Sequence, residues 1–597
     1  MKTQLEIEQE NFESSLERTT KDFYNDKSKG RLAETKGATN VLQHYKNALA
    51  DELLLATDQA HNGKAVPRRI ANKLIIAIEP EVISHYVVTA IVNMRSSEST
   101  LQGIITALSS SLRNEFLLVQ AKGDDKTKFK FLTTMLKNRS YSPQKKLLIS
   151  KQLVEKYQKV DSNAIKQDFD KLALYCIEYL ALIKPEIRGA QFDALFRINT
   201  LKIDGKNKMI QRLSLNTWFI QYLLDNIANG NLVSNINTPL VEKPIRWTNF
   251  TGGGFHSERF KYKFVSRGKK KDYIGADMSK TYEAVNRLQD IPLRVNKKVL
   301  EVMQYAYDNE LSYGELPLNK ELALMVYPCE GISYKEANDT QKELIKNWSI
   351  STKTSHEENV SNNSKCLKII RSIAEAKRFS PYGEIYFAYY VDYRGRMYPK
   401  ASALSPQGDK ITKSLLEFAQ GKTIDNMDAE MFFASHGANT FGEDKLSMIE
   451  KHKFILSIEE EIGQCVNDTH NLESIWHKAD DPWNFLAFCF EWYDYRIYGK
   501  NFKSRLSVAM DGSCNGLQHL SAMFLDETAG KAVNLTANTT KGDIYTDVMN
   551  LTINILKEKS LNGTKLVELG AVTRKACKKP VMTVPYAGTK MGTRDTV

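Results

Sequence analysis

One stretch constrains the fold of this chain more than any other: Leu506–Met523, LSVAMDGSCNGLQHLSAM. The run LSVAM predicts a strand that delivers a lone carboxylate, Asp511, to its C-terminal end, where Gly-Ser-Cys-Asn-Gly turns the chain. The spacing of GLQHLSAMFLDE then predicts a helix. A carboxylate at a strand end, beside a small residue that exposes its carbonyl, suits a magnesium ion next to a phosphate. The competing reading is that Asp511 caps the following helix, a common place for aspartate. His519, on that helix, reads as packed or hydrogen-bonded core rather than a metal ligand.

Two further segments carry chemistry. Val391–Tyr398, VDYRGRMY, follows the strand-like IYFAYY, so two guanidiniums, Arg394 and Arg396, flank Gly395 at a strand end. Arginine's planar fork suits phosphate, and glycine lets backbone approach a ligand closely. An ion pair between Asp392 and an arginine, closing the turn, accounts for the same residues. In Val572–Tyr586, VTRKACKKPVMTVPY, Arg574 and Lys578 are four apart, and Met582 and Tyr586 continue the spacing. On a helix, one face would carry two cations for phosphate, then an apolar and an aromatic group for base and sugar. Pro580 and Pro585 argue against one straight helix through all four, because proline removes a helical hydrogen bond and clashes with the preceding turn. Taken alone, the segment reads as a solvated basic face.

The 597 residues correspond to about three or four domains at roughly 100–200 residues each. A composition 42% hydrophobic and 26% charged excludes wholesale disorder and fibrous architectures. No apolar run approaches the ~18 residues of a membrane span. The start, MKTQLEIEQENFESSLER, lacks the basic region and apolar run of a secretory signal. These features predict a soluble, cytoplasmic protein with no membrane partner. Scattered cysteines without a CxxC pair and histidines without HExxH argue against a disulfide framework and a zinc site, and leave carboxylate-bound magnesium open. A net charge of +12 favours polyanionic partners, though only generically.

Up to about Leu240 the pattern is mostly helical: Leu5, Phe12 and Leu16 recur at helical spacing, as do Leu172, Leu174, Ile177 and Leu180. Within this region HNGKAVPRR (61–69), with Lys64, Arg68 and Arg69, is either a solvated turn or a contact to DNA backbone. Residues 225–247, rich in Asn, Gly and Pro, form a boundary. TGGGF at 251–255 lacks the context of a nucleotide-binding loop and reads as a flexible connection. Segment 296–380 reads as one or two long exposed helices.

Taken in order, these segments resemble the single-subunit, bacteriophage-type DNA-directed RNA polymerases. The resemblance runs through WTNFTGGGF (247–255), VNKKVLEV (295–302), VDYRGRMYP and SPQGDKITKSLL (391–416) and HGAN (436–439). It continues in FLAFCFEW (485–492), DGSCNGLQHLSAM with KAVNL (511–535), and RKACKKPVMTVPY (574–586). It implies an α+β, mostly α-helical chain: a right-hand polymerase of palm, thumb and partial fingers behind a helical N-terminal promoter-binding domain. The implied order is a promoter/DNA-binding domain at 1–240, a connecting segment at 241–295 and a thumb at 296–380. The first part of the palm follows at 381–420, with a palm insertion at 421–500. The palm strand and turn with Asp511 occupy 501–527, and incomplete fingers 528–597.

The resemblance also assigns roles. Asp511 would be the first of two palm aspartates that bind the catalytic Mg2+ ions, with the Gly512 carbonyl nearby; two ions suit nucleotidyl transfer from ribonucleoside triphosphates. Arg574 and Lys578 match residues that hold the incoming triphosphate, Lys578 also neutralising charge that develops during catalysis. Met582 lies on the same nucleotide-binding face. Tyr586 matches the tyrosine that helps select ribonucleotides, and Tyr545 a residue near the same pocket. Arg394, Arg396 and Lys413 fall where the family contacts the template–transcript hybrid or the triphosphate. Lys64, Arg68 and Arg69 lie where it reads upstream DNA. The implied partners are double-stranded promoter DNA, template DNA, nascent RNA and ribonucleoside triphosphates.

Three departures qualify the match. Ser507 replaces a usual proline. Tyr586 is followed by Ala587 before Gly588, which bears on the turn that places the tyrosine. The family's His-Asp-Ser-Phe-Gly motif, with the second catalytic aspartate, does not occur in these 597 residues, and Asp595 is no substitute. The expectation is a polymerase polypeptide without its C-terminal part, inactive in processive transcription alone or acting with a separate C-terminal fragment. Two alternatives stand beside it: a non-enzymatic promoter-DNA-binding remnant or subunit of a split polymerase, and a DNA polymerase I type enzyme. The sequence Asp-Gly-Ser-Cys-Asn-Gly at 511–516 argues against the last.

Overall fold

A computed structural model describes residues 1–61, 78–94, 99–124, 162–187, 189–202, 209–273, 275–318, 322–332, 334, 336–509, 512–537, 541–559 and 561–594. The chain is mostly helical with small antiparallel sheets, the α+β class expected. It divides into two units, Lys2–Asn237 with His256–Lys261, and Thr238–Phe255 with Tyr262–Val597. Among the described residues, no helix is long and apolar enough to cross a membrane.

In the first unit, α1 (Gln4–Ser28) opens on a capping box, in which the Glu6 amide donates to Thr3 Oγ1 and the Thr3 amide to Glu6 Oε2. Helices α2 (Lys36–His61), α3 (Pro80–Val92), α4 (Leu101–Asp124), α5 (Ser162–Leu180) and α6 (Thr217–Ala228) build one core. Each contributes an apolar stripe at helical spacing: Leu42, Leu49 and Leu53; Ile83, Val87 and Ile91; Leu108 and Leu112; Phe169, Leu172, Cys176 and Leu180; Phe219 and Leu223. Of the apolar series read from sequence, Phe12 faces inward but Leu5 is exposed, and Ile7 is buried in its place. A three-stranded sheet not read from the sequence stands beside the helices. In it β1 (Ser99–Thr100) and β2 (Phe196–Lys202) flank β3 (Met209–Leu215), with Phe196 opposite Leu215 and Ile198 opposite Leu213. Lys64, Arg68 and Arg69 lie outside the described residues.

The second unit begins with the TGGGF segment, which is not a loose connection. A Cβ on Gly253 would stand 2.3 Å from the buried Trp247 ring, and Gly254 has φ +89° with the Tyr262 hydroxyl 2.4 Å from where its Cβ would be. Glycine is required here because two aromatic side chains press on the backbone. The chain continues through α7 (Ser279–Gln289), β4 (Leu293–Val295), α8 (Lys297–Asp308) and the long α9 (Asp339–Phe379). Strands β5 (Tyr389–Val391) and β6 (Met397–Pro399) form a hairpin, and β7 (Leu416–Phe418) pairs with β4.

Helices α10 (Met427–Phe441), α11 (Met448–Ser457), α12 (Glu459–Asn467) and α13 (Pro482–Tyr498) make the scaffold of the site. The FLAFCFEW run of α13 is apolar nearly all round and therefore buried: Phe485, Leu486, Phe488, Cys489 and Trp492 are fully covered. Phe488 packs on Phe433 with ring centres 5.1 Å apart. The HGAN glycine of α10, Gly437, lies so close that a Cβ there would be 2.3 Å from the Phe488 ring.

Strands β8 (Lys422–Thr423) and β9 (Lys503–Ser504) pair next. The buried Glu491 carboxylate of α13 accepts the Arg505 amide at 2.9 and 3.1 Å, anchoring the chain as it enters the turn region. The strand predicted for LSVAM is not formed over Leu506–Ala509. No neighbouring backbone ladders with those residues among the described ones, and an extended segment without a ladder partner is not a strand.

Candidate functional site

The segment after Asp511 is built to bring three pieces of chain together. Cys514, at φ +65°, ends the turn and starts α14 (Asn515–Phe524). At Gly516 a Cβ would lie 2.9 Å from the ring of Pro585, so the glycine permits the close approach of the 584–586 segment to this helix. Asn534, just beyond α15 (Glu527–Ala532), clamps two loops. Its Nδ2 donates to Ser513 Oγ at 3.1 Å and to the Gly542 carbonyl at 2.8 Å, while the Gly542 amide donates back to its Oδ1 at 2.8 Å. Asn534 sits at φ +56°, a conformation asparagine tolerates better than most residues.

Asp543 follows at the entrance to α16 (Ile544–Lys559). Opposite it, α18 (Arg574–Thr583), which follows α17 (Leu561–Glu568), begins at the N-cap Thr573, whose Oγ1 accepts the Ala576 amide at 3.1 Å. Pro580 is accommodated inside α18, and Pro585 stands in a separate 3₁₀ turn, Val584–Tyr586. Arg574, Lys578 and Met582 therefore lie on a helix, whereas Tyr586 is reached by the tighter turn after it. Ala587 then takes φ +57°, where glycine would be unstrained.

These pieces enclose a cavity of about 700 Å³ whose walls include Gly512, Tyr545, Arg574, Lys578, Met582 and Tyr586. Six residues named from sequence thus face one space. Arg394, Arg396 and Lys413 are not among its walls. Arg394 is paired with Asp392, its Nη2 2.8 Å from Oδ2, and Asp392 Oδ1 also accepts the amides of Arg394 and Arg396 at 2.9 and 3.0 Å. Gly395, at φ +79°, closes this turn. Arg394, Arg396 and Lys413 are all exposed. Asp511 lies outside the described residues, and His519, expected in the core, is exposed on α14. The apolar partners of α14 cover only one side of a helix whose Leu517 and Ser521 face inward.

The cavity also holds residues that sequence reading missed. Asp543 grips Arg574 along one edge of the guanidinium, Nε to Oδ2 at 2.7 Å and Nη2 to Oδ1 at 3.2 Å. Burial pushes the Asp543 carboxyl up, but hydrogen bonds from Arg574 and Thr546 more than reverse this and leave it at about 2. The Tyr545 ring lies under both cations, 5.2 Å from the Arg574 guanidinium carbon and 5.8 Å from Lys578 Nζ. Burial, together with Cys514, pushes its hydroxyl up to about 12, so it stays protonated. Lys445, Lys451, Lys541, Asp444 and His436 complete much of the wall. Burial holds the His436 imidazole down to about 4, so it is neutral at physiological pH.

The signal that finds Asp543 is the DIY triplet that sets an acid two residues before Tyr545; the lysines had none, being brought in from distant helices and loops. Among the described residues, no three His, Cys, Asp or Glu side chains converge as a metal site. Asp543 is already committed to Arg574.

The cavity brings several cations together with a tyrosine lying under two of them and an exposed second tyrosine, side chains whose chemistry suits phosphate and ring surfaces. Residues 426–597 match the sequence profile of the DNA-dependent RNA polymerase family. The DNA-directed RNA polymerase of Enterobacteria phage K11 is 31% identical over 417 residues, covering 64% of this chain and 45% of the phage protein. T7 RNA polymerase of Escherichia phage T7 is 27% identical, the match covering 100% of this chain and 70% of the phage protein. The mitochondrial DNA-directed RNA polymerase 1B of Nicotiana tabacum is 26% identical across 69% of this chain and 41% of its own length. Over these spans the chain is similar to the single-subunit DNA-directed RNA polymerases of phages and mitochondria, and it spans less than half the length of the K11 relative.

Proposed function

We propose that this chain serves DNA-directed RNA synthesis and that the cavity receives the incoming ribonucleoside triphosphate. The observation that carries the reading is the convergence of Arg574, Lys578, Met582, Tyr586, Tyr545 and Gly512 on one space, in a chain similar to these polymerases. Asp543 takes the Nε–Nη2 edge of Arg574 and leaves its Nη1 side for phosphate. Lys578, an exposed cation one helical turn on, adds a second contact. Both charges offset the negative charge that builds on the phosphates as the leaving group departs. Met582 and Tyr545 flank the base, and Tyr586, at the rim, faces the sugar. Magnesium, held in this reading by Asp511 and the Gly512 carbonyl, supplies further neutralisation when bound.

In the same reading, residues 296–380 act as a thumb, 381–527 as a palm and 528–597 as fingers. The exposed Arg394, Arg396 and Lys413 contact the template–transcript hybrid, Lys64, Arg68 and Arg69 contact promoter DNA, and the work is done in a host cytoplasm. Metal-dependent synthesis also requires a second carboxylate that these 597 residues do not offer in the family's motif.

The test is binding rather than turnover. A fluorescent ribonucleoside triphosphate with magnesium is titrated into the purified chain, and into R574A and K578A. Each variant is expected to lose about tenfold in affinity, as removal of one charge-assisted phosphate contact predicts. Equal affinity for the unphosphorylated nucleoside, or no loss in either variant, would overturn the reading.

A further inference from the structure

The cations of the cavity fall into two groups with different electrostatic standing. Arg574 is matched by Asp543. Lys451 and Lys541 are not matched in that way. Lys541 Nζ donates to the main-chain carbonyl of Asp444 at 2.9 Å, and among the described residues neither ammonium is paired with a carboxylate. Lys451, on α11, is only 8% exposed although it lines the cavity. Burial and then the charge of Lys541 hold its ammonium below the ordinary lysine range, while Asp444 acts weakly the other way. A buried lysine beside a second lysine, facing an aqueous cavity, destabilises the empty protein. An anion placed between them removes that repulsion.

We propose that Lys451 and Lys541 form a second anion-binding wall of the cavity, apart from Arg574 and Lys578, whose ligand is inorganic pyrophosphate. The inference rests on the triphosphate reading for its choice of ligand. A triphosphate held by α18 that loses its terminal two phosphates leaves a diphosphate in the same cavity. That product carries a higher charge per atom than the nucleotide and no base to hold it on Tyr545. Asp444 acts electrostatically on both Arg574 and Lys451, and its carbonyl holds Lys541 Nζ at 2.9 Å. Lys541 retains two ammonium protons for an anion after its bond to the Asp444 carbonyl.

The experiment uses the full chain, inorganic pyrophosphate as probe and, in parallel, the fluorescent ribonucleoside triphosphate, with K541M and K451M. Lys541 is exposed, so K541M keeps the test open if the buried K451M fails to fold. Each folded variant is expected to lose about tenfold in pyrophosphate affinity and about threefold or less in triphosphate affinity. K541M is also expected to raise the Tm of the empty chain, because a like-charge repulsion is gone; a lysine with a merely structural role would not do both. Unchanged pyrophosphate affinity in both variants, or an equal loss for the two ligands, overturns the inference while leaving the triphosphate reading intact. A wild-type chain that binds neither probe overturns the triphosphate reading itself.

Discussion

Helices α13 and α18 both lie in the stretch that matches the RNA polymerase profile, yet they are held by opposite means. In α13 the side chains of Phe485, Leu486, Phe488, Cys489 and Trp492 are fully buried, whereas α18 has no buried residue. The first is fixed by dense packing, which tolerates little change in volume. The second is fixed by a threonine cap, the Asp543–Arg574 pair, and the fit of Pro585 against Gly516. A helix held this way can present charges to a ligand, because those charges are not consumed by the core. The contrast separates what makes the unit fold from what lets it bind.

The largest effect that would break this contrast lies in α13. Phe488→Ala is expected to destabilise the second unit by about 3–5 kcal/mol, since a buried aromatic is lost and the site cannot collapse fully. Gly437→Ala destabilises as well, because its Cβ would meet the Phe488 ring at 2.3 Å. In the double variant the alanine enters the space the ring vacated, so the two losses are expected to sum to less than additive. Urea unfolding followed by tryptophan fluorescence measures all three. Strict additivity would mean that the two residues do not share one packed volume.

The next effect belongs to α18. Asp543→Asn is expected to weaken triphosphate binding by about threefold to tenfold while leaving urea stability nearly unchanged, the pair being about one-third exposed. Asp543 sits at about 2, below an ordinary aspartate, so its contribution is present above the unfolded value and is lost only as pH falls through about 2. The binding loss is therefore expected to be constant from pH 5 to pH 9. In an R574A background the same substitution should have no further effect. A loss that persists there would show that Asp543 does not act through the arginine.

What was legible in the sequence follows the same division. The i, i+4 spacing of Arg574, Lys578 and Met582 is local information, and a helix realises it directly. The apolar series of Leu172, Ile177 and Leu180 is legible for the same reason. Lys451 and Lys541 were not, because their meeting in one cavity depends on the Asn534 clamp and on the packing of α10 and α11, which no local pattern records; Asp543 left only the DIY triplet as a trace. TGGGF was misread as loose because its glycines answer to Trp247 and Tyr262, residues that only the folded chain brings over them. LSVAM was misread as a strand because strand formation needs a neighbour, and propensity is silent about neighbours. At Asp392, the ion pair weighed from sequence is what the turn contains.

The smallest effect concerns the turn that carries Tyr586. Ala587 adopts φ +57°, ψ +41°, and its amide donates to the Val584 carbonyl at 3.1 Å while the Gly588 amide donates to the Thr583 carbonyl, also at 3.1 Å. A left-handed alanine costs about 1–2 kcal/mol, and a glycine in its place forfeits roughly 0.5–1 kcal/mol of unfolded-chain entropy. Ala587→Gly should therefore stabilise the turn by up to about 1.5 kcal/mol, which hydrogen exchange would register as up to about tenfold less frequent opening at the 587 and 588 amides. Ala587→Val should speed the same opening, since a β-branched residue resists positive φ more strongly. If neither substitution changes exchange, the turn is held by Pro585 against Gly516 alone. The tyrosine would then owe its position to packing, as Phe488 does, and the contrast between the two helices would not extend beyond the last turn of α18.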